Sequence, residues 1–160
     1  MEKEPETLHQ MRKIIVDTNI IFSCLLNSQG TIGDLIFNSE NLFAFYSNQY
    51  MRYEIRKHWQ KLLKISTLTD TQLQTAYETM LTKLTFVNEE LIPPKDWEKA
   101  EALVSDIDID DTDFVALTRY LKGSLWTGDK ALYDGLKAKR FRTVYNTQGM
   151  IKLQERLTRR

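Results

Sequence analysis

Four acidic groups stand where they could act together. Asp17 ends the apolar run Ile14-Ile15-Val16, and Asp129 follows Ser124-Leu125-Trp126-Thr127 after a single glycine. Glu54 lies near the start of a helical segment, and Asp106, Asp108, Asp110, Asp111 and Asp113 crowd into eight residues with no basic residue among them. Carboxylates drawn together in a partly dry cleft repel one another and resist ionisation, and a divalent cation removes that cost. An oxygen-only donor set, with no cysteine and no paired histidine, selects a hard ion, Mg²⁺ or Mn²⁺. His9 and His58 do not have metal-binding spacing and read as exposed or satisfied side chains.

These groups meet only if the elements carrying them share an edge. Three consecutive branched aliphatics before Asp17 read as a strand buried on both faces, as in a parallel sheet covered by helices. Further strand candidates are Leu42–Tyr46, Thr85–Val87, Ser124–Thr127 and Thr143–Tyr145, with helical patterns between them. Such alternation predicts a three-layer α/β/α sandwich with a mostly parallel, Rossmann-like sheet. Parallel strands put every carboxyl end on one edge, which is where open α/β sheets bind ligands. Asp17 and Asp129 fall there directly, and the helices bearing Glu54 and the aspartate cluster begin there.

Several local expectations follow. A cap at Ser47-Asn48 starts one long helix to about Lys64, with Met51, Ile55, Trp59 and Leu62 as its buried stripe. Another helix runs from Thr71 to Leu84, and Lys122-Gly123 reads as a helix C-cap. In the cluster, Asp111 and Asp113 both precede inward positions of the following helix, while Asp108 and Asp110 could cap it or support the metal. A helix dipole alone favours some of these aspartates, so the third ligand stays open among them.

Composition narrows the classes. The chain of 160 residues carries no net charge and is 42% hydrophobic, which fits one globular domain over residues 11–160 behind a flexible arm at residues 1–10. No apolar run approaches the ~20 residues of a membrane span. The single cysteine, Cys24, sits among apolar residues and fits a reducing cytoplasm. The charge is unevenly spread: from Lys137 to the end there are eight basic residues against Glu155 alone. Arg52, Arg56, Lys57 and Lys130 flank the acidic positions and are candidates for nucleic-acid phosphates.

As an ordered set, Val16-Asp17-Thr18-Asn19, Glu54 after the second strand, Asp108-x-x-Asp111-Thr-x-Phe-Val-Ala-Leu and Trp126-Thr127-Gly128-Asp129 resemble the PIN domain family, over nearly the whole chain from Met11 onward. The likeness is strongest to the branch that supplies toxins of toxin-antitoxin pairs. It implies a Mg²⁺- or Mn²⁺-dependent endoribonuclease, with RNA as substrate, an antitoxin protein as partner and homodimerisation as a common state. Carried over by position, Asp17, Glu54, Asp111 and Asp129 match the four catalytic, metal-binding acids, Asp108 joins the metal ligands, and Asn19 and Thr127 match the polar residues that orient them. Asp113, Thr118 and Arg119 depart from the usual pattern of that branch. Two other readings compete. Gly128-Asp129-x-x-x-x-Asp134 with Asp17 resembles a haloacid-dehalogenase-type phosphatase, but that chemistry wants an acid where Asn19 stands. A PIN-fold module that binds nucleic acid without cutting it is the other.

Overall fold

The computed structural model describes residues 11–39 and 41–159, so the arm expected at residues 1–10 lies outside the described residues. Five strands form one wholly parallel sheet in the order β3-β2-β1-β4-β5: β1 is Arg12–Val16, β2 Phe43–Asn48, β3 Leu84–Val87, β4 Ser124–Trp126 and β5 Val144–Tyr145. In β1, Ile14, Ile15 and Val16 are fully buried, which removes apolar surface from water on both faces at once. Each such side chain contributes about 1.5–3 kcal/mol by its burial.

Among the described residues nine α-helices cover the sheet: α1 Thr18–Leu26, α2 Thr31–Asn38, α3 Tyr50–Lys57, α4 Trp59–Ser66, α5 Asp70–Leu81, α6 Pro94–Val104, α7 Thr112–Leu121, α8 Lys130–Ala138 and α9 Thr147–Thr158. Right-handed crossovers dictate their layers. From β1 the chain winds outward through β2 to β3, placing α1 to α5 on one face, where α1 packs on α2, α4 and α5. It then returns past β1 to β4 and β5 and lays α6 to α8 on the opposite face, with α7 against β1, β2 and β4. The winding reverses between β1 and β4, and the crevice at that reversal is the natural ligand site of such a sheet. None of the described helices is long and apolar enough to cross a membrane.

The structure corrects four local expectations. The long helix from Asn48 to Lys64 is broken at His58, whose φ and ψ of −99° and 14° end α3 and start α4. The bend turns Trp59 edge-on to Tyr77 and lets its indole N–H donate to Asp70 at 2.8 Å. Leu84 is not the last helical residue but the first of β3, opposite Phe45. At the end of α7, Lys122 takes the left-handed conformation expected of glycine, with φ of 56°. Gly123 meets a different demand: a Cβ there would lie 2.7 Å from the Lys13 carbonyl oxygen, so its bareness lets β4 close on β1. The basic tail is also less free than its charge suggests, because Lys139 pairs with Asp106 and donates to the Leu103 carbonyl at 2.6 Å.

Candidate active site

Asp17 leaves β1 and caps α1, accepting from the Ile20 amide at 3.0 Å. Its other oxygen accepts the Thr127 hydroxyl in a short hydrogen bond from the end of β4. Thr127 also receives the Asp129 amide at 3.0 Å, and Asp129 in turn caps α8 through the Leu132 amide at 3.2 Å. Two strand ends at the reversal point are thus joined through one hydroxyl. Burial pushes the Asp17 carboxyl above the usual range; the Thr127 hydroxyl and the Ile20 and Gly128 amides pull it back, while Asp129 adds to the rise.

Glu54 reaches the same edge on α3. The first turn of that helix is held by two side chains from elsewhere: the Asn48 amide oxygen accepts from the Met51 N–H at 3.0 Å, and Glu89 accepts from the Tyr50 N–H at 2.7 Å. Asn48, fully buried at the end of β2, also donates to Asp113 at 2.7 Å and so ties the start of α3 to the start of α7. Its sequence signal was only that of a cap, since the partner lies 65 residues away. Glu54 itself stands 3.4 Å from His58 Nε2.

The aspartate cluster separates into distinct roles. Asp106 points away to Lys139. Asp108 caps the 3₁₀ turn Ile109–Asp111 by accepting from the Asp110 amide at 3.0 Å. Ile107, just before it, sits where a Cβ on Gly135 of α8 would go, so the loop is pinned at both ends of this contact. Asp108, Asp111 and Asp129 each bring a carboxylate oxygen within 4.8 Å of the others. Asp113 and Asp110 instead line the adjoining cavity. Asp111 Oδ2 is buried without a hydrogen-bond partner. Burial, then Asp108, Asp129, Asp17 and Asp113, push the Asp111 carboxyl up to about 7. Asp113 is pushed up to about 6, chiefly by burial, with the Phe114 amide and Asn48 opposing the rise.

A cavity of about 470 Å³ opens over this edge, lined by Asp17, Asn19, Asn48, Tyr50, Glu54, Asp111 and Asp113 among others. Asp129 faces a neighbouring hollow with Lys130 and Asp134, which leaves Asp134 outside the cavity that Asp17 lines. Asn19 is exposed at the cavity and is not among the hydrogen-bond partners of Asp17; the orienting bonds come from Thr127 and the Ile20 amide. All four basic candidates, Arg52, Arg56, Lys57 and Lys130, are exposed. Arg56 is engaged in packing: its guanidinium lies 4.6 Å from the Trp59 ring centre and 4.8 Å from that of Tyr77, and donates to Gln74 at 3.2 Å.

The chain matches the PIN domain family over residues 15–149. It belongs to the PIN domain family. Among solved structures, this PIN domain is similar to one of VapBC2 from Rickettsia felis bound to a DNA fragment from their promoter, at 13% identity and a TM-score of 0.60 over 84% of this chain and 98% of that one. That likeness is one of fold. No curated protein matches.

The PIN site meets the chemical demands of a divalent cation. It offers only oxygen donors, three of them already gathered, one buried carboxylate oxygen lacks a partner, and the surrounding negative charge is uncompensated.

Proposed function

We propose that this PIN domain is a metal-dependent endoribonuclease and the toxin of a toxin-antitoxin pair. The observation that carries the reading is the gathering of Asp108, Asp111 and Asp129 beside the reversal of the sheet, with Asp111 facing Asp17 and Glu54 in one open cavity. Asp108, Asp111 and Asp129 would hold Mg²⁺ or Mn²⁺, with Asp17 and Glu54 completing the acidic surround. When bound, the ion supplies Lewis acidity to a phosphodiester and charge neutralisation to the carboxylates.

The protein's own residues do the rest. Thr127 fixes the Asp17 carboxylate, so its free lone pairs face the cavity in one orientation. With the carboxylates holding metal and water, no protein nucleophile is needed, and water is the attacking group. Asp113, held by Asn48 and close to neutrality in its pKa, is suited to exchange a proton there. Water adds to phosphorus, the bond to the 3′ oxygen breaks, and a 3′-hydroxyl and a 5′-phosphate result. Arg52, Lys57 and Lys130 offer charge to the flanking phosphates.

The resemblance of the sequence to toxins of toxin-antitoxin pairs, with a fold similar to that of VapBC2 bound to promoter DNA, supports an antitoxin partner for this chain. Purified protein incubated with mixed RNAs and Mn²⁺ tests the enzyme, beside Asp17→Asn and Asp129→Asn; equal cleavage by all three would overturn it. Expression in a bacterial host tests the toxin: growth should stop, and co-expression of an antitoxin, sought among small reading frames beside the gene, should restore it. A phosphomonoester turned over in place of RNA would favour the phosphatase instead.

A further inference from the structure

Beside the acidic cavity, two large aromatic side chains are left in solvent. Tyr50 and Tyr53, one turn apart on α3, are 51% and 58% exposed, and their rings lie against each other with centres 5.3 Å apart and planes tilted by 35°. Aromatic side chains bury large apolar areas when they fold into a core, so two of them kept outside and ordered against each other form a platform. Its position is specific. Tyr50 lines the cavity with Asp17, Glu54 and Asp111, and Tyr53 extends the aromatic surface away from it. Between them on the helix, the exposed Arg52 is steadied over Phe86, its guanidinium carbon 5.4 Å from the ring centre. An exposed pair of aromatic rings, a cation held beside it and an acidic cavity at its inner edge together match one kind of ligand: a nucleic-acid strand with an unpaired base.

We infer that Tyr50 and Tyr53 form a base-stacking subsite that holds one unpaired base of a single-stranded substrate next to the acidic cavity, with Arg52 on the adjoining phosphate. The subsite rests on the nuclease reading above and adds to it the requirement for an unstacked base. Duplex bases are already stacked on their neighbours and cannot occupy it. Because every base has a π face, the subsite discriminates by strandedness and only weakly by sequence.

The test uses a single-stranded RNA of about ten nucleotides carrying one 2-aminopurine, whose fluorescence falls on stacking. It is bound in Mg²⁺ to full-length protein bearing Asp129→Asn, with a blunt duplex of the same sequence alongside. Tyr53→Ala should weaken single-strand binding about tenfold and abolish the quenching. Tyr53→Phe should bind within about twofold of the parent, since the ring is kept, whereas Tyr53→Leu should behave like Tyr53→Ala. Duplex binding should not respond. Tyr53 is exposed, so folding is not at risk. Unchanged binding by Tyr53→Ala, or equal binding by Tyr53→Leu and Tyr53→Phe, would overturn the subsite. So would a change in the oligomeric mass of Tyr53→Ala with RNA binding intact, which would make the platform a protein interface. RNA cleavage by the parent with Mn²⁺ alongside any of these results leaves the nuclease standing and removes only the subsite; neither cleavage nor binding by the parent removes both.

Discussion

The hydroxyl of Thr127 is bonded to the carboxylate of Asp17, a residue 110 positions earlier in the chain. That bond spans the point where the sheet reverses its winding, and it couples the two strand ends on which the acidic site is built. Removing the donor while keeping the shape should expose what it does. Thr127→Val should lower Mn²⁺-supported RNA cleavage by about 10–100-fold, the usual cost of losing a partner that orients a metal-site carboxylate. Thr127→Ser should recover most of it, with circular dichroism unchanged in both.

Asp111 contributes to the pH response of the metal-free protein in the same sense as Asp113 and Asp17, whose carboxyls are also raised. Its carboxyl lies at about 7, above the ordinary value, so the folded chain binds a proton more tightly than the unfolded one. Stability of the metal-free protein should therefore fall as pH rises from about 4 through about 7. Thermal melts in EDTA at pH 5 and pH 8 should show this, and Asp111→Asn should flatten the difference by raising the midpoint at pH 8 alone.

Metal should reverse that trend. Mn²⁺ added at pH 8 should raise the melting midpoint, and by more than at pH 5, where protons compete for the same oxygens. Asp108→Asn, Asp111→Asn and Asp129→Asn should each blunt the rise. Glu54→Gln should retain most of it while losing RNA cleavage, because Glu54 lines the cavity beside Asp111 but is not one of the three gathered carboxylates. Differential scanning fluorimetry with and without Mn²⁺ reads all four.

Gly123 carries a structural prediction independent of chemistry. An added methyl group meets the Lys13 carbonyl oxygen and the Ile15 side chain at 2.7 Å each, and a backbone atom cannot step aside. Gly123→Ala should cost about 1–3 kcal/mol in urea unfolding, the range for overpacking a close contact.

The sheet and the strand-end acids were legible in the sequence because each is announced locally. An apolar run stopping on a carboxylate, as at Val16-Asp17, needs no distant partner to be recognised. The break at His58 was not, because Met51, Ile55, Trp59 and Leu62 keep helical spacing straight through it and are all buried. Leu84 misled for a related reason: four residues after Met80 it continues the helical stripe, yet it is the first residue to pair with β2. Asn48 showed its capping role and concealed its bond to Asp113, since nothing local in β2 points to α7. Among five neighbouring aspartates, periodicity could not distinguish Asp108, which joins Asp111 and Asp129, from Asp113, which turns to Asn48. Loop geometry decides that, through Ile107 on Gly135 and Lys139 on Asp106.

The order in which the strands are laid down has a consequence for the chain as it is made. β1 is translated first, but its neighbour on one side, β4, arrives more than a hundred residues later. A nascent chain that stops short of residue 124 holds Asp17, Glu54 and the aspartates, yet lacks Asp129, Thr127 and the strand that aligns them. A product truncated before residue 124 therefore lacks part of the acidic edge and the strand that aligns it.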